Sequence, residues 1–230
     1  MFDYIEKNLC EIRERINNAK LKRNNKYGEV RLMAVTKTVP VDKINFAVSC
    51  GIDLIGENRV NELLEKYDSL EKSGLEIHFI GNLQTNKVKS IIDKVSLIQS
   101  VNSIRLAEEI NKRANLNSKI MDVLIEINIG GEDSKIGISE AECYKFVDTL
   151  KGFKNIKVRG LMTIPPFEAS MDGAEIKKYF HRMHEIYRAI ENIDILSMGM
   201  SEDFEEAIEC GSNIIRIGTR IFGERKVTKI

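Results

Sequence analysis

Lys37 is the residue whose position first suggests chemistry, because it ends the apolar run VRLMAVTK at residues 30–37. An amine held in apolar surroundings gives up its proton more easily, and the neutral amine adds to aldehydes to form a Schiff base. A lysine at a strand end can instead extend its ammonium group into solvent, and for a single lysine this interpretation stays open. The choice depends on which other groups converge on Lys37.

Two glycine-containing loops in the last third of the chain could bind an anion. They read SMGMSED at 197–203 and RIGTRIFG at 216–223. Gly199 and Gly218 would let backbone amides approach an anion closely, and Ser201 and Thr219 add hydroxyl donors. Ser201 is also expected to begin a helix, whose N-terminus favours an anion. The alternative is that the glycines fit tapered strands and that Ser201 only caps a helix.

Arg216 lies inside an apolar segment, two residues before Gly218. Burying an arginine costs free energy unless its charge is compensated. One explanation is an ion pair with a carboxylate on another strand, such as Glu126. The other is that the guanidinium is a fixed donor to a ring nitrogen of a ligand.

Further polar residues lie at or near the ends of apolar segments. They are Asn58, His78, Asn128 and Thr163. We expect the histidine in this group to be a hydrogen-bonded core residue. His181 and His184 lie three apart on a helical stretch, but no third ligand accompanies them, so we expect no metal site.

Together these groups describe one class of ligand. An amine, an anion-binding pair of loops and a donor to a ring nitrogen match the aldehyde, the phosphate and the pyridine nitrogen of pyridoxal 5′-phosphate (PLP). A lysine of the aldolase type acting on a sugar phosphate is an alternative, but it gives Arg216 no role. The sequence contains no HExxH, Walker A, GxGxxG or GxSxG motif.

Eight β-rich segments alternate with amphipathic helical patterns, and several segments are almost continuously apolar, as in parallel strands covered on both faces. The segments are 30–37, 53–58, 76–81, 95–101, 121–129, 156–164, 194–200 and 213–222. With an extra N-terminal helix at 2–20, they predict an α/β fold, a (β/α)8 TIM barrel forming one domain over 1–230. A doubly wound open sheet is the alternative.

The composition argues against several classes of partner. There are 35 basic and 35 acidic residues, so the net charge of zero gives no reason to expect binding to nucleic acid or to an anionic membrane. No apolar run approaches the roughly 18 residues that span a bilayer. The N-terminus lacks the apolar region of a signal peptide, and the four cysteines form no CxxC. We expect a cytoplasmic protein.

Several longer stretches resemble the pyridoxal phosphate homeostasis proteins, small single-domain PLP-binding barrels similar to the barrel domain of alanine racemase. The stretches are MAVTKT around Lys37, LIGENRVNEL at 54–63, IHFIGNLQTNK at 77–87, VRGLMTI at 158–164, SMGMSEDFEEAIECGS at 197–212 and IIRIGTRIFG at 214–223. The resemblance implies that the lysine holds PLP as a Schiff base. It also implies a phosphate site at Ser201, Gly218 and Thr219, a pyridine contact at Arg216, and a ring pocket lined by Asn58 and Met162.

The resemblance further implies a binder that buffers or delivers PLP rather than a turnover enzyme. A PLP-dependent racemase or decarboxylase of amino acids is the alternative. Racemisation needs an acid/base group on each face of the substrate, and no tyrosine is predicted to end a strand. Only ERKVTKI follows the last strand motif, so we expect no second domain. The expected partners are PLP, amino acids that displace it and PLP-accepting apoenzymes, and the expected state is a monomer.

Overall fold

Eight parallel strands pair in chain order, and the last pairs with the first, which closes the sheet into a barrel. The computed structural model describes residues 2–23, 28–132 and 136–224. The strands are β1 Arg31–Val35, β2 Leu54–Glu57, β3 Glu76–Phe79, β4 Leu97–Val101, β5 Met121–Ile127, β6 Ile156–Thr163, β7 Ile195–Ser197 and β8 Ile214–Ile217. The predicted (β/α)8 barrel is confirmed, and the alternative of an open sheet is wrong.

Helices surround the barrel and connect its strands. They are α1 Asp3–Lys22, α2 Val41–Ser49, α3 Val60–Tyr67, α4 Val88–Ile91, α5 Ile104–Leu116, α6 Glu140–Lys151, α7 Gly173–Arg188, α8 Phe204–Glu209 and α9 Thr219–Phe222, with 3-10 turns at Thr85–Lys87 and Glu168–Met171. Ser139 and Glu142 form the capping box that starts α6, as the sequence predicts.

The extra N-terminal helix joins the two ends of the chain. Apolar residues of α1 recur at helical spacing and are buried, from Ile5 to Ala19. The helix lies against α8 and α9. Tyr4 donates a hydrogen bond to the carbonyl of Phe222, and Asn8 donates one to the carbonyl of Ile221. The start of the chain therefore holds the elements that follow β7 and β8.

Two predicted boundaries near the barrel mouth are wrong. The strand expected to extend to residue 222 ends at Ile217, and the next residues turn into α9, because Ile221 and Phe222 bury their side chains from a helix rather than a strand. Ser201 does not begin a helix. The helix starts at Phe204 with Asp203 at its N-cap.

One strand of the barrel contains an extra residue. Val123 of β5 pairs with Val158 of β6, and Leu124 pairs with Gly160, so Arg159 is a bulge between them. At Gly160 a β-carbon would lie 1.7 Å from the carbonyl oxygen of Ile195 on β7. The close approach of β6 and β7 therefore requires glycine at this position.

Gly160→Ala should destabilise the barrel, because the new methyl group meets backbone that cannot rotate away. We expect a loss of about 2 kcal/mol in the free energy of unfolding, or about 5 °C in Tm. Thermal denaturation followed by circular dichroism measures this loss. Gly173→Ala is the control, because its β-carbon would meet nothing closer than 3.6 Å. Equal stability of the two variants would contradict the steric argument.

Candidate ligand-binding site at the barrel mouth

A cavity of about 370 Å³ opens at the carboxyl ends of the strands, within the usual size range of small-molecule sites. Six of the seven predicted site residues line it: Lys37, Asn58, Ser201, Arg216, Gly218 and Thr219. Its apolar wall comes from Val35, Ile80, Ile164, Phe167 and Met200. Residues that are far apart in sequence therefore converge on one side of the barrel, at the end where barrel enzymes have their active sites.

Met162, which the resemblance assigns to the ring pocket, is not among the described residues that line this cavity, and its contact with a ligand stays a prediction. Its side chain is fully buried below the mouth, against Leu97 and Leu124. Residues two apart share one face of a strand, and Ile164, two positions nearer the mouth, reaches the cavity instead. The side chain of Asn58 does reach the cavity, and its Oδ1 atom is buried without a hydrogen-bond partner.

Lys37 lies two residues beyond the end of β1, on a turn rather than on the strand itself. The following residue, Thr38, has a φ of 62°, a left-handed conformation that is unfavourable for a β-branched residue. Its backbone amide donates a hydrogen bond of 2.7 Å to Glu62 Oε2 on α3. This bond holds the turn from the side of α3.

A buried charged cluster holds the residue on the other side of Lys37. Glu57 accepts a hydrogen bond from the hydroxyl of Thr36 at 2.7 Å and pairs with Lys66 at 2.9 Å. The ammonium group of Lys66 also donates to the Thr36 carbonyl at 2.8 Å and contacts Glu62 at 3.3 Å. The turn is thus bonded to the same charged cluster before and after Lys37, which fixes its backbone.

Burial makes this cluster sensitive to the loss of any member. Glu57 is 1% exposed, and its burial raises the pKa of its carboxyl, an effect that the bonds from Thr36 and Lys66 oppose. Sequence reasoning missed this cluster because Lys66 looks like an ordinary helix-surface charge. The only signal was a glutamate at the end of an apolar strand.

The opposite wall of the cavity carries two adjacent hydroxyl groups. Ser201 Oγ and Thr219 Oγ1 lie 3.2 Å apart, one after β7 and one after β8. Gly218 lies beside them, where a β-carbon would come within 3.2 Å of the Val35 carbonyl. These hydroxyls and the open backbone can surround an anionic group with directed hydrogen bonds.

Two charged residues shape this wall without being predicted from the sequence. The buried carboxylate of Asp203 accepts the Met200 amide at 2.6 Å and the Ser170 hydroxyl at 2.7 Å. Arg220 donates to the carbonyl of Ser201 and pairs with Glu202 at 3.0 Å. The loop after β7 is therefore held from both sides by side chains that bond its backbone.

Arg216 lies at the base of the cavity and is only 4% exposed. Its guanidinium donates to Ser197 Oγ at 2.7 Å and to the Thr163 carbonyl at 2.8 Å. Among the described residues it has no ion-pair partner, Glu126 included, so the ion-pair explanation is wrong. Burial lowers the pKa of Arg216 to about 10, so the group remains a cation near neutral pH. A guanidinium has five N–H donors, which leaves donors for an acceptor in the cavity.

Glu126 interacts electrostatically with Arg216, and its carboxyl group is itself buried. It is 8% exposed, and its Oε2 atom has no hydrogen-bond partner. Burial raises the pKa of this carboxyl to about 7, and the charge of Arg216 only partly opposes the rise. Near neutral pH this carboxyl therefore exists in both protonation states.

The remaining residues singled out in the sequence lie outside the cavity lining. His78 is buried and hydrogen-bonded to Gln99, which confirms the expectation of a satisfied core residue. Across the described ranges, no three side chains of the metal-binding types cluster closely enough for an ion. Within residues 2–23, 28–132 and 136–224, no helix combines the length and apolarity that a bilayer crossing requires.

Comparisons with known proteins agree with this geometry. Residues 8–226 match the family model described as alanine racemase, N-terminal domain. The chain is 43% identical over 228 residues to the pyridoxal phosphate homeostasis protein of Aquifex aeolicus, covering 95% of this chain and 99% of that protein. It is 35% identical to the Escherichia coli protein of the same name, covering 98% of each.

Solved structures show the same fold. PipY of Synechococcus elongatus, determined with PLP bound, superposes with a TM-score of 0.82 at 27% identity, covering 95% of this chain and all of PipY. An alanine racemase of Clostridium difficile superposes with a TM-score of 0.74 at 17% identity, and covers all of this chain but 58% of the racemase. The racemase therefore shares the barrel fold, and the similarity extends no further.

Lys66→Met should destabilise the protein strongly, because it leaves the buried carboxylate of Glu57 without its cation. We expect a loss of about 3 kcal/mol in the free energy of unfolding, measured by denaturant titration at neutral pH. The double variant Glu57→Gln/Lys66→Met should recover part of this loss, since it removes both charges. If the double variant is less stable than Lys66→Met, the cluster is not the reason for the loss.

Glu126→Gln should stabilise the protein in a pH-dependent way. Folding raises the pKa of Glu126 from 4.5 to about 7, so the native protein disfavours the ionised form. The stability that this group contributes is fully present below pH 4.5 and is lost as the pH rises through 7. Above pH 8 the variant should exceed the wild type by up to about 3 kcal/mol. Denaturant titrations between pH 4 and 9 measure the difference, with the exposed Glu14→Gln as control. A pH-independent difference would contradict the prediction.

Proposed function

Because the chain belongs to the pyridoxal phosphate homeostasis proteins, within the alanine racemase N-terminal domain family, we propose that its barrel mouth binds PLP and buffers or delivers it. The observation that carries this proposal is the convergence of an amine, a pair of hydroxyl groups and a buried guanidinium on one cavity. The related proteins bear the name of this role, and PipY was solved with PLP bound.

The residues of the cavity fit the chemistry of PLP. When bound, PLP supplies an aldehyde that a primary amine can hold covalently, and Lys37 is the only lysine among the described residues that line the cavity. Ser201, Gly218 and Thr219 would donate hydrogen bonds to the phosphate. Arg216 would donate to the ring nitrogen, because its buried guanidinium is bonded only to neutral acceptors. Asn58 would line the ring pocket.

The same residues favour a binder over a turnover enzyme. A guanidinium does not readily give up a proton, so Arg216 would leave the ring nitrogen without one, and an unprotonated ring withdraws electrons less strongly. Racemisation also needs acid/base groups on both faces of the substrate. The described lining of the cavity contains Lys37 but no tyrosine or histidine. We therefore propose that any amino-acid turnover is weak.

The proposal also covers the cellular compartment, the oligomeric state and the partners of the protein. All four cysteines are free thiols, which suits a reducing compartment such as the cytoplasm. The lining residues come from the ends of β1, β2, β3, β6, β7 and β8 of one chain, which supports the proposal of a monomer with one domain over residues 1–230. Amino acids that compete for the PLP aldehyde, and apoenzymes that accept PLP, are the proposed partners.

The test starts with the full-length protein mixed with PLP. We expect a yellow protein whose borohydride-reduced label maps to Lys37, a label lost in Lys37→Ala because the amine is gone. Absorption spectra and peptide mapping measure both. The exposed Lys89→Ala should keep the label. A protein that takes up no PLP, or a label on another lysine, would overturn the proposal.

A second step with the same protein separates a binder from an enzyme. The PLP-loaded protein is incubated with L-alanine, and free PLP and D-alanine are measured over time. A binder should release PLP without accumulating the D-enantiomer. Sustained formation of D-alanine at about 1 s⁻¹ or faster, the lower end of ordinary enzyme rates, would show an enzyme instead.

A further inference from the structure

A chain of polar side chains crosses the interior of the barrel below the cavity. It begins at Arg216 on β8 and passes through Ser197 on β7, Gln99 on β4 and His78 on β3 to Glu76 at the start of β3. The first three contacts are hydrogen bonds of 2.7, 2.8 and 3.0 Å, and His78 Nε2 lies 3.4 Å from Glu76 Oε2 as an ion-pair contact. Because β3 and β4 lie across the closed barrel from β7 and β8, this chain runs through the core rather than along the sheet.

The directions of these bonds follow from the arginine together with the cost of leaving a buried donor without an acceptor. An arginine can only donate, so Ser197 Oγ must accept from Arg216. The serine proton then goes to Gln99 Oε1, which turns the amide nitrogen of Gln99 toward His78 Nδ1. His78 Nδ1 must accept this bond, and its proton therefore lies on Nε2, facing the carboxylate of Glu76.

We propose that Ser197, Gln99 and His78 are positioning residues, which hold the guanidinium of Arg216 toward the ring end of the ligand through a one-way chain of hydrogen bonds anchored at Glu76. This inference rests on the proposed function, because it assigns a purpose to the orientation of Arg216. It also explains why polar residues occupy a core in which apolar side chains would otherwise pack.

The charges around the chain agree with this assignment. Burial lowers the pKa of His78, which favours the neutral imidazole that the chain requires. The bond from His78 is the main reason why the pKa of Glu76 falls to about 2, so the anchor stays ionised. The other charges that act on His78 are Arg31 on β1, which opposes its protonation, and Asp122 on β5, which favours it.

The alternative arrangement of the chain is unfavourable. If His78 carried its proton on Nδ1, the amide of Gln99 would have to rotate and present its nitrogen to Ser197. Ser197 Oγ would then accept from both the amide and Arg216, and its own proton would lose Gln99 as an acceptor. An unmade hydrogen bond of a buried group costs about 1–3 kcal/mol. The tautomer of His78 is therefore linked to the bond that holds Arg216.

The first test measures the tautomer directly in the full-length protein without PLP. Nitrogen-15 NMR of the imidazole rings, assigned with His78→Gln, should show an unprotonated Nδ1 and a protonated Nε2 at neutral pH. Gln99→Glu should place a proton on Nδ1, because a carboxylate cannot donate to it. A wild-type proton on Nδ1, or a Gln99→Glu ring unchanged from wild type, would overturn the proposal.

The second test asks whether Ser197, Gln99 and His78 affect ligand binding through Arg216. Gln99→Met should weaken PLP binding about tenfold, because Ser197 loses the acceptor that orients it toward the guanidinium. The borohydride-reduced label should still lie on Lys37. The same change should have no further effect in an Arg216→Met background, since coupled residues are not additive. Leu97→Met, on the same strand and also buried, is the control for a generic core change and should leave the affinity unchanged.

The outcomes separate this inference from the proposed function. Equal losses from Gln99→Met with and without Arg216 would overturn the positioning role. If Arg216→Met does not fold, Ser197→Ala takes its place, because it also removes the link between Gln99 and Arg216. If the wild-type protein takes up no PLP, the proposed function fails, while the NMR measurement still decides whether the one-way chain exists.

Discussion

The structure depends on keeping a positive charge inside a barrel without an opposite charge beside it. Arg216 is bonded to a hydroxyl and a carbonyl, while the carboxylates that influence it lie further away. A buried cation compensated in this way retains a demand for acceptors. The need for acceptors accounts for the polar side chains in the barrel interior below Arg216. Further N–H donors of the guanidinium face the cavity above it. A well-matched ion pair would have satisfied the guanidinium and made it unavailable to a ligand.

The turn that carries Lys37 is held by other buried charges, and here, unlike at Arg216, the opposite charges are paired with each other. Glu57 and Lys66 are paired directly, and both also bond Thr36, the residue before Lys37. The Glu57–Lys66 pair therefore fixes the main chain at the mouth, whereas the surroundings of Arg216 present its side chain at the base of the cavity. A rigid mouth lowers the entropy that the protein loses when it holds a ligand at several points at once.

The fold and most of the site could be predicted because they follow from local patterns. Apolar segments alternating with amphipathic helices dictate a barrel, and polar residues at strand ends must then meet at its mouth. The errors arose where contacts between distant residues decide the outcome. The turn at Ser201 is held by Asp203, which accepts a hydrogen bond from the distant Ser170, and the short helix at Thr219 packs against α1. Gln99 and Ser197 gave no signal in the sequence, because their pairing requires the closed barrel.

The contacts of α1 with the last helices have a consequence for how the protein is made. The hydrogen bond from Tyr4 to Phe222 joins residues 218 positions apart, and β8 pairs with β1. Contacts of such long sequence separation form late and slow the folding of a chain. Until β8 and the helices around it have been made, the strand that precedes Lys37 has no β8 beside it and the first helix lacks its contacts with α8 and α9. The nascent chain thus exposes apolar surface until then, and it gains its binding site in the same step that closes the barrel.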